Sequence, residues 1–450
     1  MNCLILSSCH PFILSQQTEL PYIQAMAPFL AYKCTLCGAE YAPDEVTYVC
    51  PKHGDSGNLE VLLDFAAIRQ QTSVASIAAS KDQSLWRYLP LLPVDDPGFV
   101  GTPLRNAGGT PLYRADRLAK ALALPPGKLF IKDDGRNPTA SFKDRASAVV
   151  VARSLMVGGA SQIITTASSG NAAAALAGMA ASVPIPTVIF VPHTAPQAKV
   201  AQLLMYGARV FLVQGSYDDA VDLSLQAAHE FGWYCRSTGY NPFTIEGKKT
   251  AAFEIAEQFT QAQANPPIHH WQVPDCVFVS VGDGNIISGI HKGFKDLLAL
   301  GWIEKMPRIY GIQAAGSPAV YEAWKRHSEE IVQCPAETIA DSISVGLPRD
   351  GVRGVRAATQ TNGAYLTVTD EEFLEAMRNL ARGAAVFAEP AGATGYAGLV
   401  KAVGQGMIGE TESVVVVVTG NGLKDVKSAM RAAGEATLVE PSLQALKKLV

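Results

Sequence analysis

Residues 128–181 read KLFIKDDGRNPTASFKDRASAVVVARSLMVGGASQIITTASSGNAAAALAGMAA. An apolar run of strand length, Lys128–Lys132, leads into the turn Asn137-Pro138-Thr139. A helical pattern follows over Lys143–Val157, then a strand over Gln162–Thr166 and a small-residue helix over Ala172–Ala181. The same alternation continues as Thr187–Val191, Gln197–Tyr206, Arg209–Val213 and Tyr217–Glu230. Strands that alternate with helices predict βαβ units and a mostly parallel sheet. A helix over Lys248–Phe259 and a strand over Cys276–Val281 begin a second run of this kind. The fold class expected is therefore α/β, with two doubly wound parallel-sheet subdomains and a ligand cleft where strand C-termini face each other.

Outward from this core the chain divides into four parts: a tail over 1–29, a small module over 30–65, a helical and irregular connector over 66–108, and the main domain over 109–450. Within the last, a smaller subdomain over about 140–235 is inserted in the larger. The first 25 residues carry an apolar patch but no Lys or Arg, so the basic start of a signal peptide is missing. They are expected to be a disordered tail or to lie upstream of a true start at Met26.

The chain has 450 residues, 48% of them hydrophobic and 17% charged, which is enough to bury a large core. Net charge is −4 and no basic run of five or more residues occurs, which argues against a nucleic-acid partner. No apolar stretch reaches membrane-spanning length, and the longest, Ser413–Thr419 (SVVVVVT), has the length of a buried parallel strand. Cys235 and Cys276 stand in apolar, strand-like surroundings, as buried reduced thiols do. That usage points to a reducing, cytoplasmic compartment.

Cys34, Cys37, Cys50 and His53 have the spacing C-x2-C-x12-C-x2-H, with Gly38 and Gly54 just after each pair. Two such knuckles suit a tetrahedral structural zinc, whose binding can fold a module that has little core. The bland alternative is a set of free thiols in a module that has lost its metal.

A lone lysine is normally a solvated surface residue, and Lys143 is notable for its surroundings. At the first turn of a helix a cationic lysine opposes the helix dipole, whereas a neutral imine does not. Ser141 is expected to cap that helix. Thr166-Ala167-Ser168-Ser169-Gly170-Asn171 follows a strand and opens a helix, offering N–H groups and hydroxyls to a carboxylate. Ser280-Val281-Gly282-Asp283-Gly284-Asn285 is a glycine-rich strand-to-helix turn, an anion cradle. Thr419 ends a strand, where its hydroxyl can meet a ring nitrogen. A lysine, a carboxylate turn, a phosphate cradle and one hydroxyl are what pyridoxal 5'-phosphate chemistry requires.

The segments P-T-x-S-F-K-D-R, S-S-G-N and T-G-N-G-L-K-D resemble the signatures of threonine synthases, fold-type II pyridoxal-phosphate enzymes. The resemblance spans about 30–430, including a zinc-ribbon-like module. It implies that Lys143 holds the cofactor and moves protons, and that Asn171 bonds the cofactor's 3'-oxygen. Gly282, Asp283, Gly284, Asn285 and Ile286 would hold its phosphate, and Thr419 its ring nitrogen. Ser168, Ser169 and Gly170 would take the substrate carboxylate. Glu389-Pro390-Ala391-Gly392-Ala393 resembles a segment that packs near the cofactor. The implied reaction converts O-phospho-L-homoserine and water to L-threonine and phosphate. The large apolar content, for its part, points to a homodimer.

Two departures bear on the substrate. Where the family carries Asn, Ser and Arg for the substrate's phosphate, this chain has Thr238, Gly239 and Thr244, and Lys248 replaces a glutamine. Lys248 either supplies charge to that phosphate or is a solvated helix residue. Arg349, Arg353 and Arg356, in a glycine-rich stretch, are either further anion binders or solvated. Asp283 must turn away from a bound phosphate. Threonine or serine deamination is the alternative reaction, with β-replacement on phosphoserine as a third option. A catalytically idle fold with a binding role conflicts with the joint presence of Lys143, Asn171 and Thr419.

Overall fold

A computed structural model describes residues 28–267 and 269–450; the expectations for the first 25 residues lie outside it. Three short strands open the described chain: β1 (Phe29–Cys34), β2 (Glu40–Tyr41) and β3 (Leu59–Leu63). They form an antiparallel sheet in the order β2-β1-β3. The knuckle glycines Gly38 and Gly54 have φ of +71° and +53°, the left-handed region that a side chain resists. Two short helices, Phe65–Gln71 and Val74–Ala78, and irregular turns lead to β4 (Leu112–Arg114) and β5 (Leu129–Asp133).

Next come β6 (Ile164–Ala167), β7 (Thr187–Pro192), β8 (Arg209–Val213) and β9 (Tyr234–Cys235). They form an all-parallel sheet in the order β8-β7-β6-β9. The remaining strands are β10 (Cys276–Ser280), β11 (Arg308–Ala314), β12 (Tyr365–Val368) and β13 (Val414–Val418). They join the first two in a six-stranded sheet, β12-β11-β10-β13-β5-β4, antiparallel only at β4. Every residue of β10 and β13 is buried, because helices cover both faces. Strand order reverses between β10 and β13 in the large sheet and between β6 and β9 in the small one. These are the places where a doubly wound sheet opens a crevice at its carboxyl ends.

Two local expectations need correction. The helix expected over Lys248–Phe259 is two helices, Phe243–Lys248 and Thr250–Gln261. The fixed φ of Pro242 suits a helix start, so the chain turns helical one turn earlier. Lys248 thereby falls at the end of a fully buried helix. A Cβ on Gly247 would lie 2.1 Å from the Arg145 carbonyl oxygen, so glycine there lets this helix press on the helix Lys143–Gly158. The stretch containing Arg353 and Arg356 is likewise helical, Gly351–Thr359, rather than a solvated loop.

The cysteine module shares its core with the large domain. Tyr32, Leu59 and Val61 belong to one continuous apolar cluster with Phe243, Ile287 and Val355. Tyr48 stacks on Tyr240 with ring centroids 4.8 Å apart. Arg353 and Arg356 donate to the carbonyls of Leu59 (3.2 Å) and Thr35 (2.8 Å), so both are committed to holding the module. Among the described residues, no helix is long and apolar enough to cross a membrane.

Candidate active site

The end of β13 and the start of the Lys143 helix are stitched together by backbone. Phe142 N–H donates to the Thr419 carbonyl (2.9 Å) and Asn421 N–H to the Ala140 carbonyl (3.1 Å). Ala140 takes φ +65°, a left-handed conformation unusual for a residue with a Cβ. The turn is closed by Asp144, whose carboxylate accepts the Thr139 N–H (2.6 Å) and the Thr139 hydroxyl. Ser141 does not cap the helix as expected. Its backbone bridges to Gly420, and its buried hydroxyl has no partner.

Lys143 is therefore the first helical residue, aimed at the strand ends. Among the described residues its ammonium has no hydrogen-bond or ion-pair partner. Burial, then the charge of Arg236, push the amine down to about 8, against the opposing pull of Asp283 and Glu389. About a tenth of this amine is neutral at pH 7, against less than a thousandth of an ordinary lysine.

The small sheet supplies one wall. Ser168, Ser169 and Gly170 leave β6 half-exposed, and no side chain caps the helix Asn171–Ala180 that follows. Its first N–H groups thus face the cleft. Asn171 Nδ2 donates to Glu389 Oε1 (2.7 Å) and to the Ser342 hydroxyl (3.3 Å). Burial raises the Glu389 carboxyl to about 7, with Asn171 and nearby lysines pulling the other way.

The large sheet supplies the other wall. At Gly284, φ is +86° and a Cβ would lie 2.5 Å from the Asp350 carbonyl oxygen. A Cβ on Gly282 would lie 2.8 Å from the Ile343 Cα. Both glycines let the turn press against the segment 343–350. Asp283 receives the Arg349 N–H (3.2 Å) on one carboxylate oxygen, yet its charge still reaches Lys143 and Lys248. Asn285 gives its amide to Asp350 (2.8 Å), while its oxygen accepts from Lys248 and from Thr244 (3.2 Å). Ile286 is half-buried in the first turn that follows. The Thr419 hydroxyl has only a long contact, 3.5 Å to the Ala391 carbonyl.

Lys248 is completely buried, so the solvated reading fails. Burial drives its amine well down, and Lys143 and Arg236 add repulsion. Thr244 is also fully buried and fills its place as a hydroxyl on Asn285 and the Asn241 carbonyl. Glu389, whose segment the resemblance sets near the cofactor, is a buried carboxyl beside Asn171. One residue escaped the sequence reading. Arg236 follows β9 at the reversal point of the small sheet, completely buried, with no carboxylate in contact among the described residues. A short apolar triplet, Trp233-Tyr234-Cys235, directly before it was the available signal.

Residues 104–420 match the family described as pyridoxal-phosphate dependent enzymes. The chain is 37% identical over 420 residues to a threonine synthase from Methanocaldococcus jannaschii, covering 93% of this chain and 98% of that one. A threonine synthase from Methanosarcina acetivorans is also 37% identical, with 93% and 98% covered. Among solved structures, the processed form of threonine deaminase isoform 2 from Solanum lycopersicum aligns with a TM-score of 0.61 at 20% identity. It covers 79% of this chain and 88% of its own, a likeness of fold.

Proposed function

Because the chain belongs to the threonine synthase family of pyridoxal-phosphate-dependent enzymes, we propose that it converts O-phospho-L-homoserine and water to L-threonine and phosphate. The observation that carries this reading is Lys143: a half-buried amine with no partner among the described residues, lowered to about 8, at the meeting point of two sheets' strand ends. The walls suit the cofactor. Buried hydroxyls of Ser141 and Ser280 lack partners, as does one guanidinium nitrogen of Arg236. Gly282 and Gly284 let the strand-to-helix turn pack against the segment 343–350, where a Cβ would clash.

Pyridoxal 5'-phosphate supplies an aldehyde for an amine and a ring that accepts electrons from the bonds at the substrate's α-carbon. The rest is the work of the chain. Lys143 Nζ holds the cofactor, then carries protons at the substrate's carbons. Asn171, fixed by Glu389, aims its amide at the 3'-oxygen. The turn Gly282–Ile286 binds the cofactor phosphate by backbone N–H groups, and Thr419 gives its hydroxyl to the ring nitrogen. Ser168, Ser169 and Gly170 bind the substrate's carboxylate, and Lys248 adds charge for its phosphate. The catalytic domain spans 109–450, with the subdomain at about 140–235 inserted.

The cysteine module belongs to this reading as a structural zinc ribbon. The ligand atoms of Cys34, Cys37, Cys50 and His53 lie within 4.8 Å of one another. Separations of 3.9 Å (Cys37–Cys50), 3.8 Å (Cys34–His53) and 3.6 Å (Cys50–His53) suit a zinc tetrahedron. Zinc–sulfur bonds of about 2.3 Å give tetrahedral edges of about 3.8 Å. The reading includes a homodimer in the cytoplasm, where free thiols persist, acting on a small amino acid without nucleic acid.

One observation favours a second reading. Thr244 carries no charge where the family's arginine stands, and deamination of threonine or serine needs no second phosphate site. Phosphate release from O-phosphohomoserine, with L-threonine and L-serine deamination run in parallel, separates the two. Phosphate and threonine in equal amounts are expected; keto acid without phosphate turnover would establish the deaminase.

A further inference from the structure

Fully buried arginines need anions, because an isolated charge out of water is costly. Arg236 has 0% exposure, and among the described residues no carboxylate touches it. Its Nη1 donates to the Thr238 hydroxyl (2.6 Å) and its Nε weakly to the Ser147 hydroxyl (3.3 Å). Its Nη2 is buried with no partner. Ser147 lies one helical turn beyond Lys143, on the same helix face, so Arg236 stands against the side of the helix that presents the lysine.

A second buried basic group completes the wall. Lys248 is also at 0% exposure and is held on the Asn285 side-chain oxygen, a neutral acceptor. A Cβ on Gly289 would lie 2.6 Å from the Lys248 Cβ, so its stem is locked between two helices. Arg349 closes the rim: its Cβ lies 2.9 Å from where a Cβ on Gly239 would sit, on the turn that carries Arg236. Asp283 is the carboxylate nearest in charge to both buried basic groups, and one of its oxygens is already spent on the Arg349 N–H. The wall is short of negative charge.

We propose that Arg236, seconded by Lys248, is the receptor for the substrate's phosphoryl group, replacing the cation that Thr244 cannot provide. The guanidinium fork matches two phosphoryl oxygens, and its free Nη2 is the donor left for the task. This inference rests on the phosphohomoserine reading and adds the residue that selects a phosphorylated substrate over its unphosphorylated counterpart. Arg236 stands eight residues before the position where the family keeps its arginine: it opens the turn that follows β9, and Thr244 lies in the first turn of the helix that this turn leads into.

The test uses the cofactor-loaded enzyme and two ligands of equal chain length. In L-2-amino-5-phosphonopentanoate a methylene replaces the bridging oxygen of the substrate; L-2-aminopentanoate lacks the phosphonate. Binding of each is followed by the absorbance of the cofactor. Wild-type enzyme is expected to prefer the phosphonate, and Arg236→Met to lose that preference on the order of 10- to 100-fold, with affinity for L-2-aminopentanoate unchanged. Lys248→Met should lose a smaller part. The thermal midpoint of apo Arg236→Met should stay level or rise, since an unpaired buried charge is removed; a structural arginine would lower it. A preserved preference in Arg236→Met overturns the assignment while leaving the reaction intact. Absence of any preference in wild-type overturns the phosphohomoserine reading itself. Should Arg236→Met fail to fold, Arg236→Lys serves: it keeps the charge but not the fork and should recover only part of the preference, whereas full recovery would overturn the bidentate role.

Discussion

Two buried charge clusters lie on one helix, and they are built oppositely. Arg145 is ringed by Asp134 (2.6 and 2.9 Å) and Glu254 (2.6 and 2.7 Å), with Thr110 and Thr250 at 3.0 Å. Lys132 joins Glu254 at 2.6 Å, so two cations meet two carboxylates. The Glu254 carboxyl is held at about 2: burial opposes this, and Arg145 and Lys132 outweigh it. Two residues back along the same helix, Lys143 faces a wall where Arg236 and Lys248 outnumber their anions. The closed cluster is finished by folding, whereas the open one is short of negative charge, which under the proposed function the phosphates of cofactor and substrate would supply.

That contrast is most sharply broken by Lys143→Ala. Phosphate release should fall by about 10⁴-fold, the upper range for a positioned acid–base group, while the thermal midpoint of the apoprotein stays level. Turnover within tenfold of wild-type would remove Lys143 from the chemistry. Arg145→Met should do the reverse. It leaves Asp134 without a cation and Glu254 with only Lys132, and should cost about 3–5 kcal/mol of stability in denaturant unfolding. A loss under about 1 kcal/mol would mean that the cluster relaxes, and that the distinction between closed and open is weaker than its geometry.

How far the sequence carried this distinction depends on the element. The alternation that gave β5, β6, β7, β8, β10 and β13 also placed Lys143, Ser168–Asn171, the glycine turn and Thr419 at strand ends, because each motif is contiguous with a long apolar run. Arg236 follows a strand of two residues, too short for any periodicity. Its lack of a carboxylate is a property of the packed interior and has no local signature. Lys248 was ambiguous for a related reason. Pro242 starts the helix early, and Gly247 and Gly289 bring three helices close enough to bury a lysine stem. Arg353 and Arg356 are bound to the cysteine module, contacts across 294 and 321 residues of chain that no sequence pattern displays.

A finer probe of the open cluster is pH. A cation whose pKa is lowered loses its proton sooner, and the neutral amine is the nucleophile. Recombination of apoenzyme with pyridoxal phosphate, followed by stopped-flow absorbance, should speed up about tenfold per pH unit below about 8 and level off above it. A midpoint near the ordinary lysine value would mean that burial and Arg236 do not act on Lys143. In Arg236→Met the midpoint should move upward, because a repelling charge is gone.

The smallest expected effect concerns how the module reaches the cleft. The Tyr48 hydroxyl accepts the Cys235 N–H at 2.9 Å, immediately before Arg236 in the chain. Its ring stacks on Tyr240, at the far end of the same turn. Asn58 reaches the other rim, donating to the Arg349 carbonyl at 2.7 Å. Tyr48→Phe keeps the stacking and strands one buried N–H, which should cost about 1 kcal/mol. If the module positions the Arg236 turn, KM for the phosphorylated substrate should rise several-fold with kcat unchanged. If it merely covers apolar surface, stability alone should fall. The split between KM and unfolding midpoint decides whether the cysteine module steadies the anion wall or only shields the core beneath it.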